Sequence, residues 1–216
     1  MTAERILAVA RDELGVTELP AGSNRVKYNA VYYGREVSGS SYPWCCVFLW
    51  WVFRQAGAAD LFFGGKQTAY CPALLDFHRK QRVTDYRPGD IIFFNFNGRG
   101  SAAHVGLCES WDGKRITTID GNTGAGNEAN GGAVMRRTRD RKYIVGAYRP
   151  AYRKEDTVTQ EQFDAMLTAW LVRQAAQPAS SWSRMDEAKA AGITDGTRPG
   201  SFATREEVAT MIMAAR

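Results

Sequence analysis

Two adjacent cysteines, Cys45 and Cys46, stand near the start of ten consecutive apolar residues in the segment SYPWCCVFLWWVF. A cysteine in the first turn of a helix lies at the positive end of the helix dipole and beside unpaired N–H groups, which stabilise its thiolate. Because adjacent helical residues point about 100° apart, only one of the two is expected to face a given cleft. The pattern favours Cys45 as a nucleophile and Cys46 as a packing residue. Since free cysteine is among the most buried residue types, a purely structural Cys45 is the alternative.

A thiolate nucleophile requires a base, and the chain has two histidines, His78 and His104. His78, in DFHRKQR, is predicted at an exposed helix end. His104, in AAHVGLC, lies on an apolar strand, where a buried imidazole needs a polar partner to orient it. Asp120 and Asn122 are two residues apart in TIDGN and face the same side of an extended segment. Either could hold the second nitrogen of His104.

Cysteines and a histidine also raise the question of zinc. If His104 and Cys108 share one strand, their Cα atoms are about 13 Å apart at about 3.3 Å per residue. That separation is too large for two ligands at about 2 Å from one ion, and the chain has no C-x-x-C pair. Residues 20–46 contain a single acidic side chain, Glu36, whereas calcium sites use several carboxylates. We therefore predict no metal site and no cofactor.

Composition bounds the class of protein. A chain of 216 residues, 44% hydrophobic and 24% charged, is long enough for one domain and a smaller appendage. The net charge of +5 favours an anionic partner such as an acidic wall polymer. No Lys/Arg-rich block is interleaved with aromatic residues, so we predict no nucleic acid partner.

The N-terminal segment MTAERILAVARDELG lacks the basic start and unbroken apolar stretch of a secretory signal. The longest apolar run is half of the about 20 residues that cross a bilayer. We therefore expect synthesis in the cytoplasm without a signal peptide and no membrane partner. In that compartment the cysteines are expected to be thiols.

The residue pattern places helices first and strands afterwards. Helices are predicted over residues 2–14, 43–55 and 72–81, the second with Pro43 at its first helical position. Short β-rich runs between residues 88 and 152 predict an antiparallel meander, and the Gly/Asn-rich stretch 121–133 is predicted to be a mobile loop at its edge. This order indicates an α+β domain with N-terminal helices packed on an antiparallel sheet.

The C-terminal part is predicted to be helical. Apolar residues at helical spacing predict a helix and linker over residues 153–181, with the linker at 178–181. Residues 182–216 predict a helix, a loop and a second helix, the last with Thr204 and Glu207 as a capping box. A unit this small does not bury a core of its own. We expect it to pack on the first domain, on a second copy or on a ligand.

Four stretches, PWCCVF, RPGDIIFF, HVGLCES and TIDGN, occur in the order and approximate spacing of the CHAP peptidase family. The sequence over residues 1–152 resembles this family, whose members are peptidoglycan-cleaving relatives of the NlpC type with a papain-like fold. The resemblance implies that Cys45 is the nucleophile, that His104 is the base, and that Asp120 with Asn122 orients the imidazole. The family usually has a glutamate at the position of Asp120, so the direct partner of His104 stays open between Asp120 and Asn122.

The activity that this resemblance implies is hydrolysis of an amide bond in peptidoglycan through a thioester on the cysteine. The enzyme would be an N-acetylmuramoyl-L-alanine amidase or an endopeptidase, a lysin of phage or prophage that acts at the cell wall after release. Tyr42, Trp44, Asn95 and Trp111 are expected to line the substrate groove, although the aromatic residues suit a core equally well. The alternatives are an inactive wall-binding protein and a cytoplasmic thiol peptidase.

The C-terminal segment resembles, more loosely, a single S-layer-homology-like unit. The resemblance rests on GITDGT and ATREEVATMI within residues 182–216. It implies either wall binding or a homodimer formed through the C-terminal helices, because such units usually work in sets.

Overall fold

The computed structural model describes residues 1–97, 100–153, 158–176, 185–193 and 205–214. The contacts of the chain divide it into two units, Met1–Glu155 and Asp156–Arg216. Each unit is described by itself.

Five α-helices come first in the first unit, followed by strands. They are α1 (Ala3–Asp12), α2 (Lys27–Tyr33), α3 (Cys45–Gln55), α4 (Ala59–Phe63) and α5 (Cys71–Phe77). The three predicted helices are present as α1, α3 and α5, with somewhat shorter bounds. Helices α2 and α4, of seven and five residues, were not predicted.

Helix α3 occupies the centre of the unit, as its continuous apolar sequence predicts. Every residue from Cys45 to Trp50 is buried. The prediction that Pro43 opens this helix is wrong, because the N-cap is Trp44, with φ −123° and ψ 19°. Cys45 is therefore the first residue of the helix, and its backbone N–H is among the donors that have no partner within the helix.

A five-stranded antiparallel sheet packs against α3. Its strands are β1 (Ile91–Phe94), β2 (His104–Trp111), β3 (Arg115–Thr123), β4 (Ala133–Asp140) and β5 (Ile144–Tyr148), in the order β4-β3-β2-β1-β5. The predicted α+β class, with helices on an antiparallel sheet, is confirmed. Strand β4 was not predicted, because half of its sequence AVMRRTRD is charged. The predicted loop over 121–133 is too long, since residues 121–123 belong to β3.

Gly121 brings α3 close to the sheet. A Cβ atom at this position would lie 2.5 Å from Cβ of Phe48 and 2.8 Å from Cζ3 of Trp44. A larger residue on β3 would therefore push the start of the helix away. The close approach places Cys45 beside the strand that carries Asp120.

The second unit contains α6 (Gln160–Ala175), α7 (Met185–Ala190) and α8 (Arg205–Ala214). Helix α6 begins with a capping box, in which Thr159 and Gln162 satisfy each other's backbone N–H groups. The predicted linker at 178–181 and the Thr204 cap lie outside the described residues. In the described part of the chain, no helix combines the length and the apolar character that crossing a bilayer requires.

Candidate active site

The first residue of α3 and the first residue of β2 meet inside the first unit. Cys45 is 4% exposed and His104 is fully buried. The thiol and the imidazole interact closely enough to shift the pKa of both groups. Because Nε2 of His104 bonds to Asp120, the nitrogen left for the sulfur is Nδ1, which is buried and has no hydrogen-bond partner among the described residues.

The pKa values of the two groups move in opposite directions. Hydrogen bonds from the Cys46 and Cys71 thiols lower the pKa of Cys45 well below its usual value, and His104 lowers it further against the effect of burial. Burial lowers the pKa of His104, but the hydrogen bond to Asp120 and the charge of the Cys45 thiolate outweigh it and raise the pKa to about 9. Both shifts favour a thiolate paired with an imidazolium at neutral pH.

Asp120 is the direct partner of His104. Nε2–H of His104 donates to Oδ2 of Asp120 at 2.9 Å, a direction assigned from the carboxylate, which only accepts. Burial raises the pKa of Asp120, but the charge of Arg139 and the bond from His104 outweigh it and keep the pKa below its usual value. A carboxylate therefore fixes the ring orientation and leaves Nδ1 for the sulfur.

Asn122 is not the hydrogen-bond partner of His104. Its φ of +58° interrupts the extended strand, and the register between β3 and β4 shifts between Asp120 and Thr123. The prediction that Asp120 and Asn122 face the same side of a regular extended segment is therefore wrong. Nδ2 of Asn122 instead donates to Oδ1 of Asn130 at 3.1 Å.

Two further residues hold Asp120 in place, and neither was predicted. Nη1 of Arg139 donates to Oδ2 of Asp120 at 2.7 Å, and the arginine side chain is 4% exposed. Gly106 on β2 leaves the space that Asp120 fills, because a Cβ there would lie 2.0 Å from Oδ1 of Asp120. The only sequence signal for Arg139 was its place in RRTRD, which resembles a solvated strand edge.

Cys71, the first residue of α5, joins the cysteine pair. Its Sγ lies 3.1 Å from Sγ of Cys46 and 3.7 Å from Sγ of Cys45. The prediction that only one of Cys45 and Cys46 faces a given cleft is wrong, because both thiols reach the sulfur of Cys71. Cys108 is buried in a separate apolar cluster.

His78 is buried rather than exposed, so that prediction is wrong. Its ring stacks on Tyr148 with centroids 3.8 Å apart. Nε2–H donates to the carbonyl oxygen of Phe62 at 2.5 Å. These contacts join the end of α5 to α4 and β5. His78 therefore has a structural role.

Two of the residues expected to line a groove lie inside the fold. Trp44 is fully buried, and its Nε1–H donates to Oε1 of Glu18 at 2.8 Å. Asn95 is 7% exposed, and its Nδ2 donates to the carbonyl oxygen of Ser101 at 2.8 Å. Both side chains are occupied by the fold, so their predicted contact with substrate is wrong.

The other two residues have different surroundings. Trp111 ends the strand that His104 begins, about 23 Å away at about 3.3 Å per residue, and packs on Tyr86 with centroids 5.1 Å apart. Trp111 therefore does not line a groove beside His104. Tyr42 is half-buried, packs edge to face on Tyr33, and accepts a hydrogen bond from Arg35 at 3.4 Å. Its place in a substrate groove stays a prediction.

The pair of Cys45 and His104 is covered. A surface cavity of about 410 Å³ lies beside Arg139, but neither Cys45 nor His104 lines it. The lining residues are Phe96, Arg115, Glu128, Thr138, Arg139, Asp140 and Tyr143. Access of a peptide to the sulfur therefore requires the residues over Cys45 to move.

Comparison with known proteins identifies one family. Residues 37–122 match the family described as "CHAP domain", and this range contains Cys45, His104, Asp120 and Asn122. Domains of this family are generally hydrolases, cysteine/histidine amidases or peptidases. Among curated proteins, no sequence matches the chain.

One solved structure is similar in part. It is described as "The crystal structure of Ly7917", and the match has 16% sequence identity and a TM-score of 0.39. The match covers 69% of this chain and 63% of that chain, so it spans less than two thirds of the Ly7917 chain.

Proposed function

We propose that the first unit is a thiol hydrolase that cleaves an amide bond in the peptide part of peptidoglycan. Cys45 is the nucleophile, His104 is the acid and base, and Asp120 orients His104. The observation that carries the proposal is the buried thiol at the start of α3 together with the buried imidazole whose far nitrogen bonds to the Asp120 carboxylate at 2.9 Å. The CHAP match over residues 37–122 supports the substrate class.

The mechanism proceeds in two stages. The Cys45 thiolate attacks the amide carbonyl, and His104 passes the proton on Nδ1 to the leaving amine, which gives a thioester. His104 then accepts a proton from water, which attacks the thioester and releases the carboxylic acid. The Cys45 thiolate and the protonated His104 are restored.

The oxyanion of each tetrahedral intermediate requires hydrogen-bond donors. The backbone N–H of Cys45 is at the start of α3, where no carbonyl within the helix accepts it. A donor of this kind contributes about 3 kcal/mol to transition-state stabilisation. The same helix start therefore supplies the nucleophile and an oxyanion donor.

Clearing of purified Gram-positive cell walls tests the proposal. We expect turbidity to fall with the wild-type protein, and the rate to drop by at least about 10³-fold in Cys45→Ala and His104→Ala. Cys108→Ala is the matched control, because it removes a buried thiol from a separate cluster. Clearing by Cys45→Ala at the wild-type rate would refute the assignment, and a wild-type protein that binds walls without clearing them would favour the inactive wall-binding alternative.

The bond that is cut follows from mass spectrometry of the released fragments. Intact stem peptides with a new N-terminal alanine identify an N-acetylmuramoyl-L-alanine amidase. Cleaved stems or cross-bridges identify an endopeptidase. Intact peptidoglycan together with digestion of unrelated proteins would identify a thiol peptidase with another substrate.

We propose further that the protein acts at the wall as a lysin, with residues 182–216 as a wall-binding unit. The net charge of +5 supports attraction to anionic wall polymers. We expect full-length Cys45→Ala to sediment with cell walls and to be released as the salt concentration rises. Protein that stays in the supernatant at low salt contradicts this role.

A further inference from the structure

Three thiols surround one point beside the candidate nucleophile. The Sγ atoms of Cys45, Cys46 and Cys71 all lie within 4.8 Å of one another. Two of the separations are 3.7 Å, for Cys45 and Cys71, and 3.1 Å, for Cys46 and Cys71. The three residues are 4%, 0% and 5% exposed. The proposed hydrolysis uses only one of them as a nucleophile.

The spacing of the sulfurs matches a metal coordination sphere. Zinc binds thiolate sulfur at about 2.3 Å with tetrahedral geometry, which separates two sulfur ligands by about 3.8 Å. The Cys45 and Cys71 sulfurs already have nearly this separation. The Cys46 and Cys71 sulfurs are closer together than this, so they must move apart when the ion binds. Three side chains from two helix starts therefore converge on a site of the right size for one ion.

His104 does not belong to the sulfur cluster. Neither of its ring nitrogens lies within 4.8 Å of all three sulfurs. The three thiols therefore form the protein part of the site, and the fourth tetrahedral position is left to solvent, as in zinc sites that have three protein ligands.

We propose that Cys45, Cys46 and Cys71 form a binding site for a thiophilic divalent cation such as Zn²⁺, with solvent as the fourth ligand. The absence of a zinc site was predicted from the separation of His104 and Cys108, whereas the sulfurs that converge belong to Cys45, Cys46 and Cys71. Binding forms three metal–sulfur bonds and releases to solvent the protons of Cys46 and Cys71, while Cys45 binds as its thiolate.

The consequence for activity rests on the proposed function. A metal at this site occupies the sulfur that attacks. Hydrolysis therefore stops while the metal is bound and resumes when a chelator removes it. Binding itself does not depend on whether the protein hydrolyses peptidoglycan.

Metal titration of the reduced, metal-free, full-length protein tests the site directly. We expect one equivalent of Zn²⁺ to be withdrawn from a chromophoric chelator, and one equivalent of Co²⁺ to give the absorption of tetrahedral thiolate coordination. Cys46→Ala and Cys71→Ala should each weaken binding at least about 100-fold, more than the loss of a supporting residue outside the ligand set. Cys46→Ser and Cys71→Ser repeat the test with side chains closer in volume, and Cys108→Ala should bind like the wild type.

The outcomes separate the site from the proposed function. Zinc affinity that is unchanged in both the Cys46 and the Cys71 variants, or lost in Cys108→Ala, overturns the site, as does the absence of stoichiometric binding. Wild-type protein that binds one Zn²⁺ through the three cysteines but never clears walls keeps the site and refutes the hydrolase. If Zn²⁺ inhibits wall clearing by the wild type, and slows clearing by Cys71→Ala by a much smaller factor, the result supports both the metal site and the hydrolase.

Discussion

At the scale of single residues, the site depends on neighbours that reverse the effect of burial. Burial alone would raise the pKa of the Cys45 thiol and lower that of the His104 imidazole, so that both groups would be neutral. The thiols of Cys46 and Cys71 stabilise the thiolate, and Asp120 stabilises the imidazolium. The raised pKa of His104 stabilises the fold below the unfolded value of about 6.5, and this contribution is lost as the pH rises through about 9.

Asp120→Asn tests the partner of His104. Without the carboxylate, burial dominates the pKa of His104, which should fall from about 9 toward or below its usual value. Because His104 must be protonated to deliver its proton, the alkaline limb of the pH profile of kcat should move to lower pH, and kcat at neutral pH should fall about 100-fold or more. Asp76→Asn, which removes an exposed carboxylate, is the control. An alkaline limb that stays in place would show that Asp120 does not set the pKa of His104.

Alkylation by iodoacetamide tests the thiolate at Cys45. The four cysteines are free and buried, but only Cys45 has a lowered pKa, whereas burial raises that of Cys108 to about 12. Because the thiolate is the reactive form, we expect Cys45 to be labelled first at neutral pH. The rate of alkylation at Cys45 should lie below that of the unfolded protein, because the residues that cover its sulfur must move first. Peptide mass mapping over time measures this, and equal labelling of Cys45 and Cys108 would contradict the ion pair.

At the scale of elements, the sequence predicted what depends on local pattern. The apolar run of α3 specified a central helix, and the strand segments with their turns specified an antiparallel sheet. Strand β4 was missed because it is an edge strand and half of its side chains are charged. Asn122 was misplaced because its positive φ depends on a register shift between strands, which a single segment does not encode.

The pairing of His104 with Asp120 was among the alternatives predicted from sequence, because a buried imidazole needs a polar partner. The catalytic roles of Cys45, His104 and Asp120 stay a proposal. Cys71 was not assigned to the site, since it lies 25 residues from Cys46 in the chain and only the packing of α5 on α3 brings the sulfurs together. Trp44 was predicted to line a groove but is buried. From sequence alone, a large aromatic side chain suits a groove and a core equally well. Long-range packing therefore accounts for most of what the sequence did not predict.

Arg139→Met tests the link between β4 and the site. The guanidinium and the Asp120 carboxylate are both buried, so that removal of one partner leaves an uncompensated charge and should cost about 3 kcal/mol of unfolding free energy. Asp120 should then bind a proton more readily, and wall clearing should fall with it. Urea unfolding and the clearing assay measure the two effects. Arg137→Met is the matched control, because Arg137 pairs with Glu128 and not with Asp120. Equal losses in both variants would contradict a specific role of Arg139.

At the scale of the whole molecule, helix α6 of the second unit has no buried side chain. It carries apolar residues at intervals of three and four, which form a stripe along one side. Phe163 is 53% exposed and Met166 is 64% exposed. Exposed apolar stripes of this kind mark surfaces that contact another protein or another copy of the same chain. A homodimer through the C-terminal helices stays a prediction.

The oligomeric state in solution tests this prediction. We expect light scattering after size-exclusion chromatography to give twice the chain mass of 24.0 kDa, with a fraction of monomer that grows on dilution. The double variant Phe163→Glu with Met166→Glu should be monomeric, because two charges on each copy would face apolar surface. Ala165→Glu with Thr168→Glu adds the same charge to the opposite, exposed face of α6 and should leave the dimer intact. Wall clearing should continue in both variants, since the catalytic pair belongs to the first unit. A monomeric wild type at all concentrations would show that the stripe on α6 does not join two chains.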